Sequence, residues 1–264
     1  MEGVLEMNNE EIKKIVGNPD HIASIYNYCD RWCERCRFTS RCSVYQMTDR
    51  QGVDSGEVET NGMELWGQLA ASFQDTKELI KEVASNRGIA LSSMDATNDY
   101  QKEPKDHPLA QLARAYSNGA TQWFEDSAEL FNEIQSDLQS KLHMGLKESD
   151  PIADSVGFND AMDVVRWYHS QIYAKFIRAI QGLSDVAIED KEGLSPHSNG
   201  SAKVALTAID RSLSAWGELY SQLPSQRGAI LEFLVQLDGM SKFAHKIFPN
   251  AMMFRRPGFD EDDI

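Results

Sequence analysis

Apolar residues recur at three- and four-residue intervals through almost every long segment of this chain, and nowhere alternate strictly enough for a strand. That spacing puts apolar side chains on one face of a helix, so the chain is confined to an all-α fold. A short helix is expected over residues 10–16. Met63, Trp66, Leu69, Phe73, Ile80 and Val83 mark a long helix that stops near Gly88. Residues 88–105 lack any period and read as a long loop. Pro108 opens a very long helix, expected to run to Leu142 with a bend at Gly119. Further helices run from about Asn159 past Leu183, from near Val204 to Pro224, and from Ile230 to Pro249. The expectation is an up-and-down helical bundle of four to five long helices behind an N-terminal cysteine-rich module. The segments are residues 1–50 (N-terminal helices and cysteine module), 58–250 (bundle) and 251–264 (a mobile acidic tail).

Charge then narrows function. The formal net charge of the 264 residues is −15. Phosphate backbones and anionic lipid surfaces demand basic footprints, so neither nucleic acid nor a membrane is expected as a partner. The acidic start lacks the basic and apolar regions of a secretory signal, and no apolar run approaches the ~20 residues that span a bilayer. A cytoplasmic location follows as the expectation. In a reducing compartment clustered cysteines are more often ligands or redox groups than structural disulfides.

All four cysteines, Cys29, Cys33, Cys36 and Cys42, fall within fourteen residues. The first three share the stripe of Ile22, Ile25, Tyr26 and Trp32 on a helix expected to start at Asn18, with Pro19 in its first turn. Between Cys29 and Cys42 lie Arg31, Arg35, Arg37 and Arg41 against Asp30 and Glu34, a local excess of +2. The spacing is C-x3-C-x2-C-x5-C. Zinc usually draws its second ligand pair from a dozen or more residues away. Four ligands in one short loop with uneven gaps suit a larger centre, such as a 4Fe–4S cluster, whose sulfur ligands stand farther apart. Zn2+ is the alternative. A Cys33–Cys36 redox pair, Cu(I) or plain packing are the other readings of the thiols.

The stretch "CERCRFTSRCSVY" resembles the last three ligands of the 4Fe–4S loop of endonuclease III-type DNA glycosylases, C-x6-C-x2-C-x5-C. The resemblance implies a cluster on Cys33, Cys36 and Cys42, with Cys29 in place of the first ligand. The first interval has three residues rather than six, and no helix-hairpin-helix with the family's lysine and aspartate follows. It therefore supports a cluster and not glycosylase activity. Cys29, Cys33 and Cys36 also resemble the radical SAM signature. The helical remainder and a fourth cysteine placed to close the cluster argue against that chemistry.

Other catalytic signatures are missing. None of the six histidines has Glu or Asp three residues before it, which sets aside the di-iron sites of helical bundles. No Walker loop, Gly-x-Gly-x-x-Gly or His-Glu-x-x-His occurs. His169 and His245 read as boundary residues satisfied by a hydrogen bond. Asp163, Arg166 and Lys175 read as a solvated face, and Trp66, Trp123, Trp167 and Trp216 as packing. Asn199–Lys203 reads as a helix start. The sequence thus predicts a cluster-binding helical protein with a redox, electron-transfer or structural role. The alternative is a zinc-stapled module whose helices bind a protein partner. An enzyme with substrate in a bundle cavity is a third class, for which no residue is located.

Overall fold

The computed structural model describes residues 14–15, 17–50, 103–144, 151–189 and 196–260. The helix expected over Met63–Gly88, Trp66 with it, lies outside the described residues. Backbone contacts divide the chain into two units, Met1–Asn8 with Met47–Gln101, and Asn9–Gln46 with Lys102–Ile264. Of the first unit only residues 47–50 are described, as the end of helix α1 (Ser43–Arg50).

The described residues are mostly helical and contain no strand. In the second unit α2 (Pro108–Asp126), α3 (Ala128–Met144), α4 (Pro151–Glu189), α5 (Pro196–Gln222) and α6 (Arg227–Ile247) follow in order. Proline at the first position of α2 costs no hydrogen bond, and the His107 Nδ1 caps it by accepting the Leu109 N–H at 3.1 Å. The long helix expected from Pro108 runs straight through Gly119 and breaks instead at Ser127. Ser127 leaves the helical conformation as the cap of α2, and α3 starts anew at Ala128. Helix α5 begins at Pro196, so Asn199–Lys203 lie inside it rather than at its start.

Helices α4 and α5 share the longest interface, and α2 and α6 pack against them and each other. Their apolar faces meet around Trp216, which stacks on Phe233 at 4.6 Å and meets the edge of Trp123 at 4.9 Å. The Trp216 Nε1–H donates to Tyr116 Oη at 2.9 Å, so the polar atoms of both buried rings are satisfied. Burial pushes the Tyr116 hydroxyl up to about 12. The two expected packing tryptophans of this region, Trp123 and Trp216, are core residues.

The helix expected from Asn18 through Cys36 does not form. Asn18 Oδ1 accepts the Asp20 N–H at 3.0 Å, the bond of an N-cap, but no helix follows it. Single 3-10 turns follow at Ile25–Asn27, Cys33–Arg35 and Thr39–Arg41. Ser24 (φ 62°) and Arg31 (φ 63°) sit in the left-handed region, which ends any right-handed helix. Asp30 Oδ1 accepts the Trp32 N–H at 3.2 Å and holds the second of these reversals. Of the apolar stripe, Trp32 packs against Trp167 and Tyr168 of α4, while Ile25, Tyr26 and the three cysteines line one pocket.

Residues 251–260, expected as part of a mobile tail, fold back onto the unit. Asp260 takes Arg256 through both carboxylate oxygens and Lys203 at 2.7 Å. Burial alone would raise its pKa, yet the hydrogen bonds from Arg256 and Lys203 hold the carboxyl well below the usual carboxylate range. Gly258, with φ +76°, makes the turn that sends Phe259 against the ring of Phe38 at 5.1 Å. Residues 261–264 lie outside the described residues.

Candidate functional site

The cysteine segment runs antiparallel along α4 and is tied down at regular steps. Asn27 Oδ1 accepts Arg178 at 3.0 Å. Tyr28 Oη is bonded to His197 Nδ1 at 2.8 Å, and its ring lies over Gly200, where a Cβ would meet it at 2.4 Å. The Asp30 carboxylate accepts Tyr168 Oη at 2.6 Å and Arg211 at 2.7 Å, while its carbonyl accepts Trp167 Nε1 at 2.9 Å. Trp32 stacks on Trp167 at 5.3 Å. Arg35 closes the series against Asp160 and Asp163.

These anchors bend the chain so that Cys29, Cys33, Cys36 and Cys42 all line one small cavity, with about 20 Å³ of free space, that opens to solvent. Ile25, Tyr26, Phe38, Tyr45 and Phe259 supply most of its apolar wall. The four thiols are free and half-buried. Cys42, which follows the last 3-10 turn, comes back to the other three through the Arg41 side chain, whose Nε donates to Asp20 O at 3.2 Å. The Ile22 N–H adds a bond to Arg41 O at 3.0 Å.

Burial and neighbouring charge act on two of the thiols. Burial pushes the Cys33 thiol up, and the neighbouring Cys29, Cys36 and Cys42 push it further. Cys36 is raised by burial, by Cys29, Asp30 and Cys42, against the Phe38 N–H that donates to its Sγ at 3.4 Å. Each thiolate thus disfavours the next, the situation that a bound cation reverses. Among the described residues, no three His, Cys, Asp or Glu side chains are grouped tightly enough to hold a single ion. Around one zinc the sulfurs would stand ~3.8 Å apart, from tetrahedral bonds of ~2.3 Å. The four thiols border a shared space.

Several residues around the site carried no signal in the sequence. Lys175, expected on a solvated face, is buried on α4. Burial lowers its pKa to about 8, against the attraction of Cys29 and Asp30. Trp167 was expected to be packing alone, but its indole also fixes the backbone of Asp30. Tyr168, one residue on, is raised by burial and then by the adjoining Asp30 carboxylate. Phe259 reaches the cavity from the opposite end of the chain. His169 is satisfied by Ser117 Oγ at 3.1 Å, as expected of a boundary histidine, and burial lowers its pKa. His245 is exposed in the last turn of α6. Compared with protein-family models, curated proteins and solved structures, the chain matched none.

Proposed function

We propose that this protein binds one 4Fe–4S cluster through Cys29, Cys33, Cys36 and Cys42. The observation that carries the reading is that all four thiols of the chain line one cavity. A cluster supplies one-electron redox chemistry, or simply a covalent staple across the loop. With four cysteines bound no iron is left open, so the role is electron transfer, redox sensing or structure rather than Lewis-acid catalysis. The Phe38 N–H on Cys36 Sγ and the cationic Arg31 and Lys175 near the thiols favour the anionic, fully ligated state and raise its potential.

In this reading the N-terminal segment is a metal-binding module on an up-and-down helical bundle, located in the cytoplasm and facing a protein partner. Endonuclease III-type glycosylases share the loop resemblance alone. The test is purification without oxygen followed by iron, sulfide and zinc analysis. Iron and sulfide in equal amounts, with broad visible absorbance, are expected. A colourless protein carrying a single zinc would establish the zinc-stapled module instead.

A further inference from the structure

A second, larger cleft of about 390 Å³ opens beside the cysteine cavity. The two share Asp30, Trp32, Cys36, Phe38 and Phe259 in their walls. Arg35, Arg37 and Arg211 line this cleft against a single carboxylate, Asp30, which makes the wall +2 by count in a chain of −15. Asp160 and Asp163 reach Arg35 from outside the wall.

Two of the three arginines share one construction, Arg35 lying over Trp32 at 4.0 Å and Arg37 over Phe38 at 4.7 Å, rings that also line the cleft. Arg211, 5.6 Å from the centre of the Tyr168 ring, instead donates N–H bonds to Tyr168 Oη and to Asp30. A guanidinium stacked face-on to a ring is held in place while its N–H donors point outward in the plane. Such planar forks match the paired oxygens of phosphate and carboxylate. The ion pairs of Arg35 are with exposed partners, the kind of contact that is weak and exchanges with a ligand anion, whereas Arg211 is held in place by Asp30 and Tyr168. The volume falls within the range of ~300–1,000 Å³ typical of small-molecule sites, and is far more than an inorganic anion needs.

We propose that this cleft binds a phosphorylated small molecule of mononucleotide size, gripping its phosphates with Arg35, Arg37 and Arg211. The concave shape favours a small ligand over the acidic surface of a protein. This inference stands apart from the cluster reading, since none of the three gripping residues is a cysteine.

Calorimetric titration of the full chain, purified without oxygen, tests it with ADP, pyrophosphate and adenosine as probes. ADP is expected to bind, to weaken as salt rises, and to bind at least about tenfold more tightly than uncharged adenosine. Arg37→Gln is expected to weaken ADP by about tenfold or more, the scale of a lost charged hydrogen bond. Arg211→Lys, which keeps the charge opposite Asp30 but loses the fork, is expected to weaken it less. Unchanged circular dichroism confirms that each variant folds. No heat with ADP at about 1 mM, equal binding of ADP and adenosine, or native affinity in both folded variants would each overturn the proposal. Pyrophosphate binding with ADP excluded would overturn the ligand size. A poly-glutamate peptide that binds where nucleotides do not would overturn the small-molecule class. Nucleotide binding by protein that holds no iron would leave the cleft standing and remove the cluster.

Discussion

The helices between residues 103 and 260 and the cysteine segment of residues 17–42 are folded by different forces. The helices are ordered by periodic burial: Trp216, Tyr116, Ile172 and Leu237 are wholly enclosed, and each owes its place to an apolar stripe. The segment has almost no enclosed side chains of its own beyond Ile25 and Tyr28. It is ordered by discrete polar anchors, with Asp30 at their centre, and by docking onto a surface that the helices must already have made. Such a segment depends on the scaffold, whereas the scaffold depends on the segment far less.

The largest predicted effect breaks the scaffold itself. Trp216→Ala removes the ring between Phe233 and Trp123, leaves the Tyr116 hydroxyl unpaired, and is expected to cost about 4 kcal/mol. Chemical denaturation followed by far-ultraviolet circular dichroism measures it, and a loss below about 1 kcal/mol would contradict the packing account. Asp30→Ala comes next. It strands Tyr168 and Arg211 together, and a cost on the order of 3 kcal/mol is expected to fall on the segment rather than the helices. Limited proteolysis between residues 17 and 42, with helical content unchanged, is the expected signature. If the helices melt as well, the two regions are not independent.

Much of this contrast is legible in the sequence, and the part that is not has a physical cause. The stripes of α2, α4, α5 and α6 announce their helices because burial is periodic. Their ends were less clear: the start of α5 at Pro196 was hidden behind a Gly- and Ser-rich stretch, and Ser127 competes with no obvious signal at all. The cysteine segment misled most, because Ile22, Ile25, Tyr26 and Cys29 have helical spacing while Asn18 and Asp30 hold local turns. Spacing brought the four cysteines forward as a site. Nothing in the sequence could reveal that Trp167, Tyr168 and Arg211 hold Asp30 or that Phe259 lines the cavity, since those contacts span more than 130 residues of chain.

Smaller effects sharpen the comparison. Lys175→Met removes a buried charge whose pKa burial lowers to about 8, and is expected to raise the melting temperature of metal-free protein. In cluster-loaded protein the same change is expected to lower the reduction potential, because a cation beside Cys29 is gone. A lowered melting temperature without metal would show that Lys175 serves the fold. Asp260→Asn gives a smaller, pH-dependent loss. The folded carboxyl titrates below its ordinary 3.8, so its stabilisation is present above that pH and vanishes as pH falls through the lower folded value. Wild type and variant are therefore expected to differ in stability at neutral pH, with the gap narrowing progressively as pH falls below 3.8 towards the lower folded value. A gap that persists in acid would remove the ion pair as its cause. Arg35→Ala is expected to cost under about 1 kcal/mol, since Asp160 and Asp163 are exposed partners.

The central claim is that Cys42 returns to complete a four-cysteine site built on a segment without a regular helix. The iron and sulfide content of Cys42→Ala, purified without oxygen beside the wild type, tests it most directly. The account predicts that both fall together while the helical circular dichroism is retained. Full cluster content in that variant would place Cys42 outside the ligand set and contradict the closed site.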